Sequence, residues 1–260
     1  MSGWFDLFAA AFLGALAVKL LDFFYDQYRQ RADDSRSAKK LINKHLDPIL
    51  KSADELVGKI YSLAKSDFKG IRKTFSSAEL SNEESIPRLN ILYLFGHFWC
   101  WTQILRIEGV YVNLSSTEKG EHLLLFLKAL EASKTQLLDR AWQRGIGEAL
   151  IDRRDTRLRA ITFYDFVISY RNSPELQEWF KPIISIFNSI GEPSTKRQRI
   201  LVYGTILHAL TDHLDKQRLV TREIPTWPNK LTDRKRNDLR FRIFPIYLHF
   251  VKYAERYYRK

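Results

Sequence analysis

From Leu46 to Ala64 apolar side chains recur at intervals of three and four: Leu46, Ile49, Leu50, Ala53, Leu56, Val57, Ile60, Leu63 and Ala64. Only an α-helix buried along one face satisfies that spacing, because a half-buried strand alternates at two. The amphipathic stretch extends over "DDSRSAKKLINKHLDPILKSADELVGKIYSLAKSDF", Asp33 to Phe68. Inside it, Pro48 is expected to kink the helix or, with Asp47 before it, to mark a helix start.

The rest of the chain shares this preference. Glycine (11) and proline (8) are scarce among 260 residues, and no alternating run of useful length, internal repeat or low-complexity tract is present. The fold class expected is all-α, with an N-terminal membrane-tethering helix in residues 1–35 and a compact multi-helix basic body in 36–260. Ile91–Leu105 is apolar nearly all round and reads as a central core helix, with a second span as the alternative, since His97, Thr102 and Gln103 interrupt it. Ser and Thr before Glu118 and Glu121 are cap candidates. Shorter helices are expected around Trp142–Ile151 and Arg159–Tyr170. "NSPELQEWF" starts a helix with Ser173 as cap and Pro174 in its first position, and Ser194 caps the next one. "LVTREIPTWPNKLTD" is a long loop, and a last helix is expected after Asp233.

The apolar segment Trp4–Tyr25 would be about 33 Å long as a helix, against roughly 30 Å of bilayer hydrocarbon. No base precedes it, which argues against a signal peptide. Ala10, Gly14 and Ala17 fall on a small-residue face suited to close helix association, while Lys19, Asp22 and Asp26 fall on another stripe. Pairing Lys19 with a neighbour's Asp22 would make the span drive a homo-oligomer. The alternatives are an amphipathic helix on the membrane surface and a tertiary core helix. Arg29, Arg31, Arg36, Lys39 and Lys40 all follow the segment, so the positive-inside rule places the N-terminus outside and the body in the cytoplasm.

Net charge is +12, of which residues 230–260 contribute +7, ten bases against three acids. Such a balance implies an anionic partner. Arg234, Lys235, Arg236, Arg240 and Arg242 lie among Phe241, Phe244, Tyr247, Phe250, Tyr253, Tyr257 and Tyr258. Three readings stay open: a lipid headgroup surface, single-stranded nucleic acid gripped by charge and stacking, or a bundle helix with solvated bases. Proximity to the tether favours lipid over nucleic acid.

Enzymatic signatures are weak. His208 and Asp212 stand four apart and can begin a metal site, but no further ligands follow at a recognised spacing, and the bland reading leaves Asp212 solvated. Cys100 sits in "FWCWT", a context that makes a thiol inert. The single cysteine excludes an internal disulfide framework. "RGIGEA" lacks the remaining phosphate-loop pattern, and its Arg144 and Glu148 read as a helix pair. No histidine follows Arg171-Asn172 at the spacing of helical ribonucleases. No cofactor is expected.

Two stretches, "YLFGHFWCWTQILR" (Tyr93–Arg106) and "RAWQRGIGEALI" (Arg140–Ile151), together resemble a group of uncharacterised bacterial proteins with an N-terminal hydrophobic helix and a helical body. The resemblance implies a bacterial, helical, membrane-tethered protein, single-pass in the bacterial inner membrane with its body cytoplasmic, and carries no activity with it. The functional expectation is a non-enzymatic membrane-tethered protein acting through self-association or partner binding, such as a membrane-perturbing effector. Its rivals are a soluble nucleic-acid-binding protein and, more weakly, a metal-dependent hydrolase.

Overall fold

The computed structural model describes residues 3–76, 85–190 and 195–260. The periodic stretch and the apolar segment before it form one helix. α1 runs Gly3–Lys65, 63 residues or about 95 Å, with no break at residue 35. Every member of the Leu46–Ala64 series is buried, joined by Ala38, Ile42 and His45. Pro48 lies inside this helix and forfeits one backbone bond there. Before Ala38 the described side chains, among them Tyr25 and Tyr28, are exposed or half-buried, so α1 leaves the body as a projecting stalk. Lys19 is exposed, whereas Ala10, Gly14, Ala17 and Asp22 lie outside the described side chains. Among the described residues no helix is long and apolar enough to cross a membrane.

The end of α1 is a Schellman turn built without glycine. Asp67 takes φ 51°, the Phe68 N–H donates to the Leu63 carbonyl at 2.8 Å, and the Asp67 N–H donates to Ala64 at 3.3 Å. A left-handed aspartate is uncommon, and three contacts hold this one. Phe68 is fully buried, and the Asp67 carboxylate accepts from Lys230 at 2.9 Å and Arg197 at 2.7 Å. α2 (Lys69–Ser76) follows.

α3 (Ile86–Glu108) is the central core helix, buried on nearly all sides. α4 (Glu118–Leu130) begins at Thr117, whose side chain accepts from the Gly120 N–H. α5 (Arg140–Ala149) lies against α3 through glycine: a Cβ on Gly147 would stand 2.6 Å from the Trp99 carbonyl oxygen. The two stretches that carried the resemblance are therefore facing surfaces of one helix pair. Around α5 the sequence reading needs correcting. Ile151–Asp152 (β1) and Arg159–Ala160 (β2) form a two-residue antiparallel ribbon, so the helices expected to reach Ile151 and to start at Arg159 stop short and start late. Asp152, a buried residue of the ribbon itself, accepts from both Arg154 and Arg159 at 2.9 Å, a local clamp that no periodicity announces.

α6 (Phe163–Asn172) and α7 (Pro174–Asn188) are separated by Ser173, which accepts from the Leu176 N–H as a cap. α8 (Thr195–Leu214) crosses the core beside α1, and its expected cap Ser194 lies outside the described residues. Trp99 Nε1 donates to the Tyr203 hydroxyl at 2.8 Å, fixing α3 to α8. The single final helix expected from the sequence does not form. α9 (Asp233–Asp238) passes into a π-turn at Leu239–Ile243, α10 (Phe244–Tyr247) is one turn, and the chain ends in turns and a short 3₁₀ segment. Pro245 cannot donate to the helical ladder, and Tyr253 at φ 55° reverses the chain.

Candidate anion-binding site

α9 is set in place from α1. Asp67 binds Lys230, two residues before the Thr232 that precedes α9, while Gln198 of α8 accepts from the Thr232 N–H at 2.9 Å and donates to the Lys230 carbonyl at 3.1 Å. Lys230 foremost, with Arg197, holds the Asp67 carboxyl below its usual range. α9 therefore sits at the end of the body where α1 terminates.

A pocket opens on each side of α9. The larger, about 500 Å³, gathers Arg236, Arg240, Arg259 and Lys260 with Tyr258 and one acid, Glu255. The smaller, about 280 Å³, gathers Lys134, Arg199, Arg234 and Lys235, with Asp238 as its acid. The five bases singled out in the sequence divide. Lys235 pairs with Asp238 at 3.3 Å, and Arg236 pairs with Asp233 and donates to the Leu231 and Pro228 carbonyls, so both largely serve the local fold. Arg242 pairs with Asp238 at 3.4 Å and lines neither pocket. Arg240 lies over the ring of exposed Phe241 at 4.8 Å, and Arg234 is exposed. Sequence reasoning missed Lys134, Arg199, Arg259 and Lys260. For Lys134 and Arg199 no signal existed, since only tertiary folding brings the turn after α4 and the start of α8 beside α9.

Several arginines elsewhere are matched to acids. Glu131 receives Arg106, with Arg140 and Arg144 each at 3.6 Å, so Arg144 turns to Glu131 rather than to Glu148, which pairs with Arg153 instead. Asp54 binds Arg222 at 2.7 Å. Around α9, Lys134, Arg199, Arg234, Arg240, Arg259 and Lys260 are all exposed, and among the described residues none of them forms an ion pair. A concentration of unmatched cations around two concavities can attract and hold an anion.

No family of proteins matches this chain, and neither does any curated protein or solved structure. His208 Nε2 stands 3.6 Å from Asp212 Oδ1, too far for a hydrogen bond. The Asp212 side chain is nearly buried rather than solvated, which corrects the sequence reading. It is engaged by Arg218, Arg256 and the Tyr257 hydroxyl, the last at 2.5 Å. A carboxylate so occupied is a structural hub, and among the described residues no three His, Cys, Asp or Glu side chains gather as metal ligands. Cys100 is buried and its thiol is pushed well up by desolvation, as its apolar context led one to expect.

Two histidines are held neutral. Burial pushes His97 down to about 4; it accepts from Trp101 Nε1 at 3.0 Å and stacks on Tyr93. Burial first, then the neighbouring His122 and Lys216, pushes His213 down to about 4. His213 shares a 2.9 Å hydrogen bond with His122, beneath the ring of Phe250. In the unfolded chain both titrate near 6.5. Between about 6.5 and 4 the unfolded state therefore binds more protons, so stability is full above that window and falls as pH drops through it. Thermal unfolding followed by circular dichroism should show Tm falling from pH 6.5 toward 4. The double variant His97→Gln, His213→Gln should flatten that fall, and an unchanged profile would show that other groups set it.

Proposed function

We propose that this chain is a non-enzymatic, membrane-attached helical protein that presents the α9 pole to an anionic partner. Residues 4–25 are the attachment. The observation that carries the reading is the continuity of α1: one helix joins the apolar segment to the body and ends beneath α9. Its rise puts Lys65 about 60 Å beyond Tyr25. Stalk and pole are thus opposite ends of the molecule. The proximity that favoured the same membrane as partner of the basic C-terminus is lost when α1 stands away from the bilayer.

The bases after the segment support a body on the cytoplasmic side, and the resemblance of the two helix-pair stretches supports a bacterial inner membrane. Association through Ala10, Gly14 and Ala17, with Lys19 and Asp22 paired between copies, belongs to the same proposal. In fractionated cells the full chain should sediment with membranes and resist both high salt and alkali. After detergent extraction it should run at a multiple of its monomer mass. Recovery in the soluble fraction would overturn the attachment, release by alkali would make it a surface helix, and a monomeric mass would remove the association.

A further inference from the structure

We infer that the anionic partner of the α9 pole is a single-stranded nucleic acid, its phosphodiester chain laid across α9 from one pocket to the other. This rests on the proposed role of the pole as a partner-binding surface and names the chemistry it receives. Three unmatched exposed cations line each pocket: Arg240, Arg259 and Lys260 on one side, Lys134, Arg199 and Arg234 on the other. A single phosphate group would use only one of these sets, whereas a chain of phosphates crossing the helix uses both in succession. A flat headgroup plane cannot enter concavities on two sides of a helix, and the length of α1 separates the pole from residues 4–25.

Charge alone would accept any polyanion. Aromatic rings add the preference for unpaired bases, which expose their faces for stacking. Phe241 is 59 % exposed beside Arg240, and Tyr258 lines the larger pocket. Glu255 in the same pocket opposes binding and limits affinity, so the salt-dependent contribution of the cations has to dominate.

The full chain in detergent should bind a fluorescein-labelled single-stranded DNA oligonucleotide of mixed sequence, read by anisotropy, with affinity falling steeply as salt rises. Arg240→Glu with Arg259→Glu should weaken binding at least about tenfold and make its salt slope shallower, by about one per lost phosphate contact. Lys134→Glu with Arg199→Glu should do the same from the other pocket. Phe241→Ala should weaken single-strand binding and leave duplex binding unchanged. Lys39→Glu with Lys40→Glu, exposed on α1 where it enters the body and remote from the pole, should change nothing, and matching Tm values would confirm that each variant folds. Binding to phosphatidylglycerol vesicles without binding to oligonucleotide would overturn this inference and keep the pole as an anion-binding surface. Binding to neither would overturn both. Oligonucleotide binding indifferent to the pocket variants, or equal for single strand and duplex with no effect of Phe241→Ala, would also overturn it.

Discussion

Replacing Gly147 by alanine should lower the unfolding free energy by about 2–3 kcal/mol, while the same replacement at Gly70 should raise it by up to about 1 kcal/mol. Both glycines are helical, and alanine is the better helix former at each. What separates them is the space beyond the backbone. At Gly70 a Cβ meets nothing within 4 Å. At Gly147 it would stand 2.6 Å from the Trp99 carbonyl oxygen, 2.7 Å from its carbon and 3.1 Å from the Cys100 nitrogen. Those are backbone atoms of the central helix α3, and no rotamer change removes them. α3 and α5 would have to separate, opening the contact that Gly96 makes from the other side, where a Cβ would meet Leu150 at 2.5 Å. Denaturant unfolding of the two variants checks this. Equal shifts at both sites would mean that α5 does not approach α3 at Gly147.

Asp212→Ala should cost about 3 kcal/mol and loosen the C-terminal segment. The carboxylate gathers Arg218 from the turn after α8 with Arg256 and Tyr257 from the last 3₁₀ turn. Its removal strands a buried tyrosine hydroxyl whose remaining partner is Arg256, at 2.6 Å. Arg218 and Arg256 reach solvent in part and recover some hydration, which places the cost at the lower end of the range for a broken buried pair. The segment that loses its hold carries Lys252, Arg256 and Arg259, so trypsin should cut the variant there faster than the parent chain. Asp212→Asn keeps an acceptor for Tyr257 and should fall between the two. An Asp212→Ala protein with parental Tm and digestion pattern would show that the hub contributes nothing.

The helical periods of Leu46–Ala64, the all-round apolarity of Ile91–Leu105 and the Ser173-Pro174 start were legible because each depends on residues within a few turns of one another. Local spacing decides which face of a helix is buried, and local hydrogen bonds decide where it begins. The C-terminus defeated the same reasoning. Its apolar spacing suits a helix, yet Pro245 and the turn at Tyr253 divide it, and the fragments are held by Asp212 and His122, far away in sequence.

By itself, then, the sequence determined an all-α chain, its basic excess, and a thiol in an apolar setting. Those properties follow from composition and short-range pattern. Tertiary structure alone decided that the Asp212 side chain is nearly buried, that "RGIGEA" serves packing, and that Lys134 and Arg199 join the bases of α9. It also decided that α1 continues unbroken and sets the apolar segment and the basic pole at opposite ends. The reason is physical: a charge or a glycine acquires its role from what stands opposite it across the core, and that partner is chosen by packing among helices that are remote along the chain.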